Sequence, residues 1–330
     1  MKVIFFTIVF CLMAVSGVAS AEITIDTVPV GNPGNAADST GYGAVAYEYN
    51  IGKYEVTAAQ YTAFLNTVAA LDIYGLYNTK MWSDTYGCKI QRSGYSGSFT
   101  YSVASDWANR PVNYVSYWDS CRFTNWLHNG QGSGSTENGA YTLNGYIGTD
   151  GRTIQRNSTW KWAITSEDEW YKAAYHKNDG VTGNYWDYPT ISNTKPSNLL
   201  GNPTDPGNNA TYSPPGSYTI GSPYWRTEVG AHENSDSPYG TFDQGGNVVE
   251  WNEAIVYYIE PTYAFRGLRG GSFMHPSTNL FASYRNNGDP PSTEYYDIGF
   301  RVSEVPEPAS LALLALGAVG LHRRRRSVRE

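Results

Sequence analysis

Asp243 and Glu250 are two carboxylates seven residues apart in the stretch YGTFDQGGNVVEW, residues 239–251. Gly245 and Gly246 lie between them, where a backbone without Cβ atoms can turn sharply and approach a ligand closely. Carboxylates joined by backbone carbonyls are the ligand set of a hard cation such as Ca²⁺, which takes oxygen donors at roughly 2.3–2.6 Å. The spacing is not that of an EF-hand loop. The same residues also read as a Gly-rich turn entering a strand with an aromatic end, and residue chemistry alone leaves both readings open.

Three helices are predicted around this stretch. Thr57 and Gln60 form a capping box, and Tyr61, Phe64, Leu65 and Val68 follow at helical spacing to about Ala70. Ser116 opens a second helix that carries Trp118, Cys121, Phe123, Trp126 and Leu127 to about His128. Ser166 and Glu169 form another capping box, opening a third helix to about His176. Glu167, Asp168 and Glu169 could suggest acid–base chemistry, but three carboxylates in a first turn complement the helix dipole. Short strands are expected within 22–45, at 45–51, 88–91, 99–103, 160–164, 254–259, 265–273 and 298–302, and a hairpin over 141–156 turning at Thr149-Asp150-Gly151. Residues 72–109 are too long for a mere connection. Residues 179–237 have almost no periodicity, so that loop needs a staple or a function.

Aromatic residues make up 15% of the chain, Tyr alone 28 residues, while Gly numbers 34 and charged residues are 16%. This suits a loop-rich exported domain better than a helical bundle. Met1-Lys2, an apolar run over 3–18 and Ala19-Ser20-Ala21 read as a signal peptide cleaved after Ala21, with a retained anchor as the alternative. Val305-Pro306-Glu307-Pro308, an apolar segment over 309–321 and Arg323 to Arg326 close the chain. At 1.5 Å per residue the apolar segment reaches roughly 20 Å, short of a hydrocarbon core of about 30 Å, and its arginines should stay cytoplasmic. It resembles a PEP-CTERM sorting tail, which implies exosortase machinery as a partner, a transient membrane anchor and a destination in the cell envelope or outside the cell. Removing 1–21 and 323–330 takes away Lys2, five Arg and Glu330, leaving 17 basic and 29 acidic residues, a net charge near −12. So acidic a surface argues against nucleic acid as a partner. No nucleophile elbow, P-loop or dinucleotide fingerprint occurs.

Six short motifs occur in order. They are Tyr54-Glu55-Val56-Thr57, Arg110-Pro111-Val112, Thr165-Ser166-Glu167-Asp168-Glu169-Trp170, Gly246-Asn247-Val248-Val249-Glu250-Trp251, Arg269-Gly270-Gly271-Ser272-Phe273 and Ile298-Gly299-Phe300-Arg301. Together they resemble the sulfatase-modifying-factor (FGE-sulfatase) family, whose best-known members are the formylglycine-generating enzymes. The resemblance covers about residues 46–304, after a lead-in over 22–45 and before the sorting tail at 305–330. It implies an α+β, C-type-lectin-like, loop-rich fold with little regular secondary structure. It also implies calcium held by the Asp243 and Glu250 side chains and the Gly246 and Val248 carbonyls, with Asn198 in a second calcium site.

Formylglycine-generating enzymes hold Cu(I) with two cysteines after the Gly-Gly-Ser motif, and soft thiolates select that ion. Here His275 stands at the first position and Leu280 near the second, and no cysteine follows Cys121. Copper is therefore not expected. Met274 and His275 are neighbours that rarely make a metal site, and the five His show no paired ligand spacing. Cys88 and Cys121 remain in the mature chain, as free thiols or as a disulfide that would close a loop of about 33 residues and contribute roughly 3–4 kcal/mol. The expected function is an exported, calcium-stabilised, non-catalytic binding module for a cell-surface polysaccharide or protein. The alternatives are an enzyme with an activity other than cysteine oxidation, or residual formylglycine-generating activity.

Overall fold

The computed structural model describes residues 22–200, 207–214 and 216–305. The expected signal peptide over residues 1–21, the apolar tail with its arginine cluster, and His322 lie outside the described residues.

Strands β1 (Thr27–Val30), β2 (Tyr49–Gly52), β3 (Ile90–Ser93), β4 (Thr100–Val103), β5 (Trp162–Ile164), β6 (Val249–Ile259), β7 (Tyr263–Arg269), β8 (Ile298–Phe300) and β9 (Val302–Glu304) form three sheets. The first has the order β1-β2-β9-β5 and is antiparallel throughout. The second has the order β7-β6-β8, with β6 and β8 parallel. The pair β3-β4 stands apart. The expected strand over 298–302 is thus two strands. Arg301 sits between them, where the chain leaves one sheet and enters the other. The strand expected to start at 254 begins at Val249, so Glu250 and Trp251 are sheet residues paired with Arg269 and Leu268.

The three predicted helices are α1 (Ala58–Val68), α4 (Tyr117–His128) and α5 (Glu167–Tyr175); α2 (Lys80–Ser83) and α3 (Ser105–Ala108) are single turns. Capping boxes close Thr57 to Gln60, Ser116 to Asp119 and Ser166 to Glu169, each satisfying donors that a helix start leaves open. The first-turn carboxylates of α5 also reach across the fold. Glu167 pairs with Arg269 and Arg285, Asp168 accepts from the Gly43 amide, and Glu169 pairs with Arg156.

The core lies between α1, α4 and β6 to β8. Phe64 contacts Tyr61, Phe123 and Trp126, each at a ring separation of 5.4 Å. Phe123 meets Phe300 at 5.3 Å, which ties α4 to β8.

Helix α4 is buried on every side from Tyr117 to Leu127, although Asp119, Arg122, Thr124 and Asn125 are polar. Burying those groups is tolerable only because they are bonded. Arg122 grips Glu137 through two bonds of 2.7 and 3.1 Å. The Asn125 amide donates to the Thr136 and Tyr141 carbonyls and accepts from the Tyr141 amide. This corrects the expected hairpin over 141–156, which holds no strand. Side chains of α4 satisfy backbone groups there that a strand partner would otherwise take.

Cys88 and Cys121 are both buried free thiols, so the disulfide alternative is not formed.

Candidate functional site

The turn before β6 is a run of left-handed backbone. Asp243, Gly246 and Asn247 have φ of 60°, 95° and 58°, a region that Asp and Asn visit more readily than other side-chain-bearing residues. Gly246 is required by space as well, because a Cβ there would lie 2.1 Å from the Thr211 carbonyl oxygen. That carbonyl accepts from the Asn247 amide at 2.8 Å, pinning the turn to the long loop.

The turn delivers Asp243 and Glu250 to one buried region, where a third carboxylate joins them. Asp243 Oδ2 accepts from the Gly230 amide at 2.6 Å. Glu250 accepts from the Trp170 indole at 2.7 Å and from Arg301, Nε to Oε2 at 2.6 Å and Nη2 to Oε1 at 2.7 Å. Glu55, 1% exposed, accepts from the Val248 amide at 3.2 Å and the Asn247 side chain at 3.1 Å. Burial, reinforced by the charges of Asp243 and Glu250, holds the Glu55 carboxyl well above the usual range. Burial likewise pushes Asp243 up to about 6, against the lowering effects of the Gly230 amide and Arg301.

Glu55 and Glu250, both buried, and the half-buried Asp243 therefore face one guanidinium, a formal surplus of two negative charges. A divalent cation matches that surplus, and the donors are hard oxygens. The detail fits less well. Arg301 occupies both oxygens of Glu250, and among the described residues no three His, Cys, Asp or Glu side chains converge to hold an ion by themselves. An ion here would need the Gly246 and Val248 carbonyls. Sequence reasoning named Asp243 and Glu250 but missed Glu55, 192 residues before Asn247, and missed that Glu250 is an ion-pair partner. The available signal was a lone carboxylate directly before the capped start of α1. Asn198 is half-buried and donates to the Ser217 carbonyl at 3.2 Å.

The second place of interest follows β7. Gly270 and Gly271, at φ 97° and 69°, turn the chain into Ser272. The Ser272 hydroxyl lies 2.8 Å from Asp297 Oδ2 and 2.9 Å from His275 Nδ1, and it is fully buried. The order is carboxylate, hydroxyl, imidazole, with the hydroxyl in the middle. A nucleophilic triad needs the imidazole in the middle to take the hydroxyl proton, so this arrangement locks Ser272. The His275 side chain is 33% exposed. Leu280 ends a single 3₁₀ turn (Ser277–Leu280) and is fully buried against Tyr188, Ala210 and Tyr212. Neither residue suits Cu(I). One offers a lone imidazole already bonded, the other a hydrocarbon in a packed cluster.

The comparisons agree with this architecture. A family model, the sulfatase-modifying factor enzyme 1-like domain, matches residues 34–305. A PEP-CTERM protein-sorting motif matches residues 304–326, which marks the chain for exosortase sorting and export to the cell envelope. No functionally curated sequence matches the chain. Among solved structures, CarF is similar at a TM-score of 0.57 and 21% identity, covering 86% of this chain and 99% of its own. Treponema denticola variable protein 1 is similar at 0.53 and 17% identity, covering 87% and 97%. At these identities the likeness concerns the fold. The family match spans most of the chain and includes the turn, the Gly-Gly-Ser segment and the Arg301 crossover just described, and on that basis the chain belongs to the sulfatase-modifying factor enzyme 1-like domain family.

Proposed function

We propose that this protein is an exported, non-catalytic binding module of its family, stabilised by calcium, whose ligand is a cell-surface polysaccharide. The observation that carries the non-catalytic reading is the burial of Leu280. A side chain fully buried against Tyr188, Ala210 and Tyr212 leaves neither a thiolate nor a space for one near the second copper position. The locked Ser272 and the lone His275 support the same reading, since no activated nucleophile takes the place of the lost metal.

Calcium is proposed from the surplus charge around Glu55, Asp243 and Glu250. The ion would rest on Asp243, on the Gly246 and Val248 carbonyls and on the lone pair that Arg301 leaves on Glu250, with Asn198 at a second, weaker site. It would supply structure, clipping the left-handed turn to β6. The export signal at residues 1–21 belongs to the same proposal and is consistent with the sorting motif at the other end.

Two assays on the purified protein test the function. A peptide carrying the sulfatase cysteine motif, incubated with protein and Cu(I), should emerge unmodified by mass spectrometry. A glycan array should show binding. Conversion of the peptide's cysteine to formylglycine would overturn the non-catalytic reading, and a blank array the polysaccharide reading.

A further inference from the structure

A cleft of about 400 Å³ opens between the start of α4, the 150–156 segment and the β6-β7 hairpin, built from residues the turn and the Gly-Gly-Ser segment do not use. Tyr117, Gln155, Arg156, Glu253, Ile255 and Arg266 line it. Tyr117 and Arg266 are 0% and 2% exposed, and yet Arg266 Nε has no hydrogen-bond partner among the described residues and the Tyr117 hydroxyl has only the Cys121 thiol, a weak one. Buried polar atoms are rarely left unbonded, and leaving one so costs about 1–3 kcal/mol. Glu253 contributes an acceptor as well. Its Oε1 takes bonds from Tyr141 and from Arg156 at 2.9 Å, while no hydrogen bond within the described residues reaches Oε2.

The charges in this cleft already cancel. Arg156 is paired with Glu169 and Glu253, and Arg266 lies over the Tyr117 ring at 4.5 Å with its other nitrogens on the Glu253, Gly151 and Ile154 carbonyls. Two guanidiniums and two carboxylates leave no net charge to attract an ion. What remains is a donor, an acceptor and a hydroxyl that does either, the set that adjacent hydroxyls of a sugar ring satisfy.

The cleft does not end there. Gln155 also lines a second cavity of about 460 Å³, shared with Tyr146, Asp150 and Arg152. The Arg152 guanidinium sits 4.9 Å from the Tyr258 ring, and Tyr257 and Tyr258 are each 53% exposed on β6. Exposed tyrosine rings beside a polar groove offer an apolar face with a wet edge, which suits the faces of sugar rings.

We propose that the two cavities joined at Gln155 are one groove that binds a linear neutral polysaccharide, with Tyr117, Glu253 and Arg266 holding ring hydroxyls and Tyr258 stacking on a neighbouring ring. This site rests on the binding-module reading and names where that binding occurs. The acidic surface of the protein favours a neutral chain over a uronic-acid polymer.

The test uses the full-length protein on an array of linear oligosaccharides, neutral and uronate-bearing, followed by calorimetric titration of a binding glycan. Neutral glycans should bind. Gln155→Ala and Tyr258→Ala should each weaken binding by about tenfold, roughly 1.4 kcal/mol, and Tyr117→Phe should weaken it without altering shape. Tyr95→Ala, at a ring 75% exposed outside the groove, should bind as wild type, and matching melting curves establish that the variants fold. A glycan whose affinity is untouched by all three groove variants overturns this site and leaves the binding-module reading standing. Binding of uronate glycans alone overturns the neutral-ligand assignment, and a blank array overturns site and reading together.

Discussion

Arg301 holds Glu250 at both carboxylate oxygens, at 2.6 and 2.7 Å, and neither side chain is exposed to solvent. The remaining nitrogen of Arg301 bonds the Gly52 carbonyl at 2.9 Å, and Nη2 also reaches the Phe242 carbonyl at 2.9 Å. One side chain thus fastens the β6 strand, the end of β2 and the Gly-rich turn at the point where the chain passes from β8 to β9. Burying two charges is costly, and the extra carbonyl bonds are what make the arrangement tolerable.

Breaking that pair from one side should be severe. Arg301→Met leaves the buried Glu250 and Glu55 and the half-buried Asp243 without their guanidinium, and a loss of about 3–5 kcal/mol is expected. Glu250→Gln in the same background should recover part of it, because one uncompensated charge disappears. Urea unfolding of both single variants and the double variant measures the coupling. Additive losses would mean the two residues act independently.

Calcium removal should lower the melting temperature. At a free concentration of about 100 times Kd, a bound ion stabilises by about 2.7 kcal/mol. EDTA should therefore shift wild type strongly and Asp243→Ala barely. Glu55→Gln should also reduce the shift, since it removes one of the surplus charges. If wild type melts unchanged in EDTA, and metal analysis of that sample finds no calcium, the surplus charge is carried by protons on Glu55 and Asp243 instead.

Stability should fall as pH rises through neutrality, through Glu294. Burial, together with the nearby Asp119 charge, raises its carboxyl to about 8, against about 4.3 in an unfolded chain. A raised folded value means the native state holds the proton more tightly. Its contribution is therefore complete below about pH 4 and is lost as pH climbs through about 8. Melting temperatures measured from pH 5 to 9 in saturating calcium should decline with pH, and Glu294→Gln should flatten the decline. A profile equally steep in the variant would assign the slope to another group.

Cys88 and Cys121 should be inert in the native state. Burial raises both thiols above the usual range, and the thiolate is the reactive form. A thiol reagent should label neither Cys88 nor Cys121 until the protein unfolds, and then both. An intact mass two hydrogens lower before reduction would reveal a disulfide in place of free thiols.

Much of the fold was legible along the chain. The capping boxes at Thr57 and Ser166 and the helix start at Ser116 sit where sequence placed them, because a cap is a contact between residues three apart. The turn at Gly246 was legible because a left-handed backbone against the Thr211 carbonyl excludes any Cβ. The missing cysteine pair could be read from composition alone. Family membership followed from six motifs in order, and the fold gives their residues physical roles. Ser166 and Glu169 cap α5, Glu55 and Glu250 share a buried charge region, and Arg301 joins two sheets.

What the chain order could not convey was which distant groups meet. Glu55 joins Asp243 and Glu250 only after α1 and β6 are packed. Glu250 is claimed by Arg301, 51 residues away, because the β8-to-β9 crossover aims that guanidinium inward. Residues 141–156 read as a hairpin by local pattern, but α4 supplies their hydrogen bonds from the side, so no strand forms. Leu280 became core through Tyr188, Ala210 and Tyr212, all from a loop without periodicity. Local spacing specifies caps and turns because their partners are a few residues apart. Ion pairs, buried charge and clefts depend on long-range packing, and only the tertiary structure decides those.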